Sequence, residues 1–138
     1  MILADTGFWL ALANRRDTHH TRAVQVLKEV NETLVTTWPV MTETCHLLLS
    51  RLGPVAVSTF MRSFEKGAFE VLGLRQQDAT RLGQLMLKYQ DLPMDLADAS
   101  LVLMAEHLGD GRILSTDQRD FHTYRWKNHE PFQNLLLP

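Results

Sequence analysis

A single cysteine, Cys45, excludes an internal disulfide and any metal site built on several thiolates. Nowhere do about 18 apolar residues run uninterrupted, so no membrane-crossing helix is expected. The N-terminal apolar run has no basic segment ahead of it and is broken by Asp5, which argues against a secretory signal. A net charge of −2 supplies no overall positive field for nucleic acid or an anionic membrane, although a local patch can act beneath a neutral total. Low-complexity stretches, internal repeats and linkers are also missing. With 138 residues, 45% of them apolar, and five scattered prolines, the expectation is one soluble globular domain spanning 1–138, in the reducing cytoplasm and without a membrane partner.

What is present is an alternation of short apolar runs with helical patterns. Ile2–Ala4 reads as a buried strand, with Gly7 as a turn before a helix over Phe8–Ala13. Asp17 is placed to cap a second helix whose face carries His20, Ala23, Leu27 and Val30. Leu34–Thr37 reads as a strand, and Pro39 suits the first turn of a third helix running to about Arg51. Gly53 and Pro54 separate it from a fourth, striped with Val57, Phe60, Met61 and Phe64. Phe69–Leu74 is the next strand, Asp78 caps a fifth helix, and a sixth extends from Asp95 to His107 before Gly109 or Gly111. Ile113–Ser115 and a segment of the tail complete the strands. Such alternation predicts an α/β fold of three α/β/α layers on a mainly parallel sheet, whose sites form at the carboxyl ends of the strands.

Two of these strands end on acids, Asp5 and Asp117. Asp98 shares a helix face with Leu101, Val102 and Ala105, so it lies on the stripe turned toward the sheet. Glu43 falls one turn beyond Pro39, with Leu47 on its own side. Taken singly, Asp5, Asp98 and Asp117 are equally helix or turn caps, and Glu43 is an ordinary solvated residue. Taken together, they are four carboxylates aimed at one point. Two unit charges 4 Å apart repel by about 4 kcal/mol at an effective dielectric near 20, so such a set calls for protons or cations. Hard divalent ions with oxygen ligands, Mg²⁺ or Mn²⁺, are the natural counter-charge, and they suit in-line displacement at phosphorus.

The segments ILADTGFWLAL, TETCHLL and LADASLVLMAEHLGDGRILSTDQRDF resemble the PIN domain family, and within it the VapC-like ribonuclease toxins of type II toxin–antitoxin systems. The resemblance covers the chain in order and spacing. It implies that Asp5, Glu43, Asp98 and Asp117 hold one or two Mg²⁺ or Mn²⁺ ions. It also implies that Thr6 and Thr116 support the site with hydroxyl groups. The activity implied is endonucleolytic cleavage of RNA, leaving a 5′-phosphate and a 3′-hydroxyl. The partners implied are an antitoxin protein and a second copy of the chain in a homodimer. A PIN-type binding domain with weak or lost catalysis is the alternative.

Phosphate contacts need basic residues around an acidic centre. Arg15 and Arg16, after the first helix, and Arg112 and Arg119, flanking the last acid, are the candidates. Asp120 reads as solvated or turn-capping and Asp95 as an N-cap. His19 and His20 point about 100° apart on a helix and are poor joint ligands. Cys45 reads as a packed thiol, and Trp126 as a core or interface residue. No P-loop and no G-x-G-x-x-G after a strand occurs, which removes the common nucleotide-binding alternatives.

Overall fold

β1 (Ile2–Ala4) is buried along its whole length, and the sheet grows outward from it on both sides. Ile2 and Leu3 pair with Leu34 and Val35 of β2 (Leu34–Thr37), while Leu3 and Ala4 pair with Ile113 and Leu114 of β4 (Arg112–Leu114). β3 (Glu70–Leu72) lies beyond β2, and β7 (Gln133–Asn134) lies beyond β4. All four pairings are parallel, giving the order β3-β2-β1-β4-β7 in this computed structural model, which describes residues 1–138. A short antiparallel ribbon, β5 (Arg125–Trp126) with β6 (Glu130–Pro131), stands apart from the sheet.

Parallel neighbours require crossovers, and helices flank the sheet on both faces, as the alternating pattern predicts. They are α1 (Thr6–Ala13), α2 (His20–Glu29), α3 (Trp38–Leu52), α4 (Pro54–Glu65), α5 (Ala79–Lys88), α6 (Leu96–Leu108) and α7 (Gln118–Thr123). The chain first travels from β1 toward β3, then crosses back to place β4 on the other side of β1. The switch point therefore falls between β1 and β4, where a parallel sheet opens a crevice. No helix is long and apolar enough to cross a membrane.

Several local details differ from the sequence-based expectation. Gly7 is not a turn residue but sits inside α1, which begins at Thr6. A side chain at Gly7 would place its Cβ 1.8 Å from Thr116 Oγ1, so glycine is there to let α1 close on the β4–α7 loop. Asp17 does not cap α2. Its Oδ1 accepts from His19 N at 2.8 Å in the preceding turn, and the helix starts at His20. The His20 ring takes a joining role, Nδ1 donating to the Ala11 carbonyl at 2.7 Å. Asp78 is the N-cap residue of α5, as expected, but its carboxylate turns back to close a 3₁₀ turn (Gln76–Asp78), accepting from Arg75 N at 2.8 Å and not from the helix. The strand expected at Phe69–Leu74 shortens to Glu70–Leu72 because Phe69 leaves the ladder to stack in the core, its ring 4.4 Å from Trp9 and 5.3 Å from Phe60.

Candidate functional site

Asp5 continues the β1 ladder by donating its amide to the Leu114 carbonyl at 3.0 Å, and then caps α1. The residue is 7% exposed, and each carboxylate oxygen accepts one hydrogen bond. Oδ1 accepts from Thr6 N at 2.7 Å, and Oδ2 accepts from the Ser115 hydroxyl at 2.9 Å. Burial raises the Asp5 carboxyl to about 6; those two hydrogen bonds pull it down, and Glu43 and Asp117 push it further up.

Asp98 enters from the first turn of α6. Asp95 is the N-cap, as expected, accepting from Asp98 N at 2.8 Å. Buried hydroxyls hold this helix against the sheet: Thr37 Oγ1 meets Ser100 Oγ at 2.6 Å, and Ser100 donates to the Ala97 carbonyl. Tyr124, wholly buried, donates its phenol to Asp98 Oδ2 at 2.7 Å. Burial lifts the Asp98 carboxyl to about 8, Asp5, Asp95 and Asp117 adding repulsion and Tyr124 opposing it. No lysine or arginine is among the groups that set Asp5 or Asp98.

Asp117 follows β4 and caps α7, its Oδ1 accepting from Asp120 N at 3.1 Å while its own amide donates to Ser115 Oγ. Burial raises it too, with Asp120 adding repulsion and Arg119 drawing it back. Glu43, half-buried on the second turn of α3, is raised by burial and by Asp95. Thr6 lies beside it with its hydroxyl buried. That hydroxyl favours the ionised Glu43, although the contact is too loose to count as a full hydrogen bond.

The four acids therefore occupy one end of the sheet, at and beside the β1/β4 switch point, and feel one another's charge. They do not close into a cage: no three His, Cys, Asp or Glu side chains meet as a set that could hold an ion. The donor set, all carboxylate oxygen and rich in unneutralised charge, suits a hard divalent cation.

Residues 2–127 match the PIN domain. The chain belongs to the PIN domain family. It is similar to ribonuclease VapC26 of Mycobacterium tuberculosis, 26% identical over 124 residues, a span of 90% of this chain and 92% of the relative. Mycobacterium tuberculosis VapC20, a sarcin–ricin loop cleaving toxin, shares the fold at a TM-score of 0.79 and 20% identity, over 86% of this chain and 92% of that one. A toxin–antitoxin complex from Klebsiella pneumoniae shares it at 0.67 and 17% identity, covering 94% and 99%.

Within this PIN domain, the hydroxyl of the β4–α7 segment that touches an acid is that of Ser115, one residue before Thr116, whose own side chain lies against Gly7. Arg112 is a clear correction. It lies at the start of β4, and its guanidinium is taken up by Glu32 and Asp110, so it offers no free phosphate contact at the acids. Arg15 and Arg16 are exposed past the far end of α1, a helix of 8 residues and thus about 12 Å from Asp5. Arg119 alone of the four stands beside the site, bonded to Asp120 Oδ1 at 3.1 Å and to the Leu92 carbonyl. Asp120 is buried, not solvated.

Three supporting residues escaped the sequence reading: Ser115, Tyr124 and Asn134. Asn134 of β7 donates to the Ser115 carbonyl at 2.8 Å and accepts from Ser115 N at 3.3 Å, tying down the strand end that presents Asp117. Only Ser115 carried a signal, as a small hydroxyl two residues before an acid.

Proposed function

We propose that the protein is a metal-dependent endoribonuclease acting as the toxin of a toxin–antitoxin pair. The observation that supports this most is the buried, mutually repelling Asp5 and Asp98, joined by Asp117 and Glu43 at the PIN domain's switch point without a cationic partner for either buried acid. A fold that only binds has no reason to keep that repulsion. VapC26 is a ribonuclease and VapC20 a sarcin–ricin loop cleaving toxin, which favours the same chemistry here.

Asp5, Glu43, Asp98 and Asp117 would hold one or two Mg²⁺ or Mn²⁺ ions. When bound, such ions supply positive charge to the phosphoryl oxygens and acidify a water. The protein's own residues orient the carboxylates. Ser115 and the Thr6 amide fix both Asp5 oxygens, and Tyr124 fixes Asp98 Oδ2. Water attacks phosphorus, the 3′ oxygen leaves as a hydroxyl, and the 5′ side keeps the phosphate. Arg119 neutralises phosphate next to the site, and Arg15 and Arg16 meet a longer strand further along α1.

The antitoxin would seat in an apolar groove of about 340 Å³ between α1, α2 and α4, lined by Trp9, Leu12, Leu27 and Phe60. The cytoplasm and a homodimeric state complete the reading. The test is cleavage of total RNA by purified protein with Mg²⁺, with chelator and Glu43→Gln controls, followed by sequencing of the RNA ends. Metal-dependent ends carrying 5′-phosphate, absent in the variant, are expected. RNA binding without cleavage would favour a binding domain instead.

A further inference from the structure

We propose that the groove beside the acids, lined by Trp38, Thr42, Glu43, His46, Asp95 and Leu96, seats an unpaired base of single-stranded RNA stacked on the Trp38 indole, next to the phosphate being cut. The inference rests on the ribonuclease reading and adds to it a subsite and a preference among bases.

Trp38 opens α3 and is 48% exposed, an unusual position for the bulkiest apolar side chain. Phe64 meets it edge-on, with centroids 5.9 Å apart and planes at 83°, so the ring is braced but not covered. The other tryptophans are committed elsewhere. Trp9 is buried, and Trp126 donates to the Pro131 carbonyl while its ring closes over Gly111. The groove measures about 750 Å³ and has Glu43 in its wall, so it borders the acidic centre on the Glu43 side.

Charge selects the occupant. Glu43 and Asp95 face each other in the groove, and no lysine or arginine lines it. Away from the ion-holding acids the groove offers a phosphate no lysine or arginine, whereas a base is neutral, has a face for the indole, and in adenine, cytosine and guanine carries an amino group that the Asp95 carboxylate can accept from. Uracil lacks that amino group. Stacking on an exposed aromatic beside a backbone-binding centre is the usual way single strands are held.

The experiment compares wild type, Trp38→Phe and Trp38→Ala on short oligoribonucleotides of adenylate, cytidylate or uridylate and on an abasic backbone. Cleavage kinetics, sedimentation, and tryptophan fluorescence in an Asp117→Asn background, which leaves the RNA uncut, are measured together. Adenylate and cytidylate should quench Trp38, uridylate should do so weakly, and the abasic strand not at all. Trp38→Ala should raise KM about tenfold with kcat within about twofold, whereas Trp38→Phe should stay near wild type. Sedimentation should not change.

An unchanged KM in Trp38→Ala, or equal binding of the abasic strand, overturns the subsite. So does a shift in sedimentation, which would make the groove a contact between copies of the chain. Quenching with no cleavage by wild type would leave the subsite standing and sink the hydrolytic reading. Cleavage with no quenching would do the reverse.

Discussion

At the amino end of the strands, Arg112 forks onto Glu32 and Asp110; at the carboxyl end, Asp5, Asp98 and Asp117 press on one another with no arginine between Asp5 and Asp98. The same residue type behaves oppositely in the two places. Hydrogen bonds from Arg112 draw Glu32 down to about 2 and hold Asp110 below the usual carboxylate range. Burial and like charge lift Asp5 to about 6 and Asp98 to about 8. Pairing an acid with an arginine is an available solution in this fold, used at Glu32 and Asp110 and also between Arg81 and Glu106 at 2.7 Å. Its absence at Asp5 and Asp98, while Arg119 pairs with Asp120 nearby, leaves those two acids unneutralised, as expected of charge kept for a ligand.

The sharpest way to break the comparison is Asp98→Asn. Cleavage should fall to background, measured on purified protein with Mg²⁺. Stability should move the other way. A carboxyl raised in the folded state contributes stability that is complete below its unfolded pKa and is lost as pH rises through the folded one. For Asp98 that window runs from 3.8 to about 8, and for Asp5 from 3.8 to about 6. Metal-free wild type should therefore melt progressively lower from about pH 4 to pH 8, while Asp98→Asn should flatten that slope and raise Tm at pH 8 by on the order of 5 °C. An unaltered slope would mean that neither burial nor like charge raises the Asp98 carboxyl.

Tyr124→Phe is next in size. The ring stays to fill the core, but Asp98 loses the donor at 2.7 Å that fixes its rotation. Partners of metal-binding side chains typically matter by 10–100-fold, so divalent-ion affinity by calorimetry and cleavage rate should both drop by roughly that factor. Because the phenol lowers the Asp98 carboxyl, its loss should also shift the acidic limb of the pH–rate profile upward. A purely structural role would lower Tm without moving that limb.

The acids were legible because they interrupt apolar periodicity: Asp5 and Asp117 stop strands, and Asp98 sits on a buried stripe. The residues that hold them were not. Tyr124 and Asn134 follow the last clear element and reach the site only through the tertiary path of α7 and β7, which are 6 and 2 residues long and too short to show a period. Asp120 reads as a surface charge because its burial depends on that same helix. Arg112 misled in a different way. It is five positions from Asp117, but a 3-residue strand rising about 3.3 Å per residue carries it about 10 Å away, to the opposite end of the sheet. Closeness in sequence is separation when a strand lies between.

Gly7 and Gly83 refine the comparison at the level of the backbone. Both lie inside helices, but a Cβ at Gly7 meets Thr116 at 1.8 Å, whereas one at Gly83 meets nothing within 4 Å. Gly7→Ala should cost about 1–3 kcal/mol by overpacking and reduce cleavage, because α1 carries its strain directly to Asp5. Gly83→Ala should gain about 0.5–1 kcal/mol from helix propensity and leave cleavage alone. Chemical denaturation of the two variants checks both signs.

The smallest effect belongs to Arg112→Ala, and it separates the two ends of the sheet most cleanly. The guanidinium bridges Glu32 and Asp110 at the surface, so solvent screens much of the attraction. Tm should drop only slightly, and the drop should shrink as salt rises toward 1 M, where the screening length is about 3 Å. Cleavage should be unaffected, because every donor on Arg112 is turned away from the acids. Were the variant instead to lose RNA affinity with a reduced salt slope, Arg112 would have to leave its carboxylates to meet phosphate. The division between a scaffold end and a reactive end of this sheet would then fail.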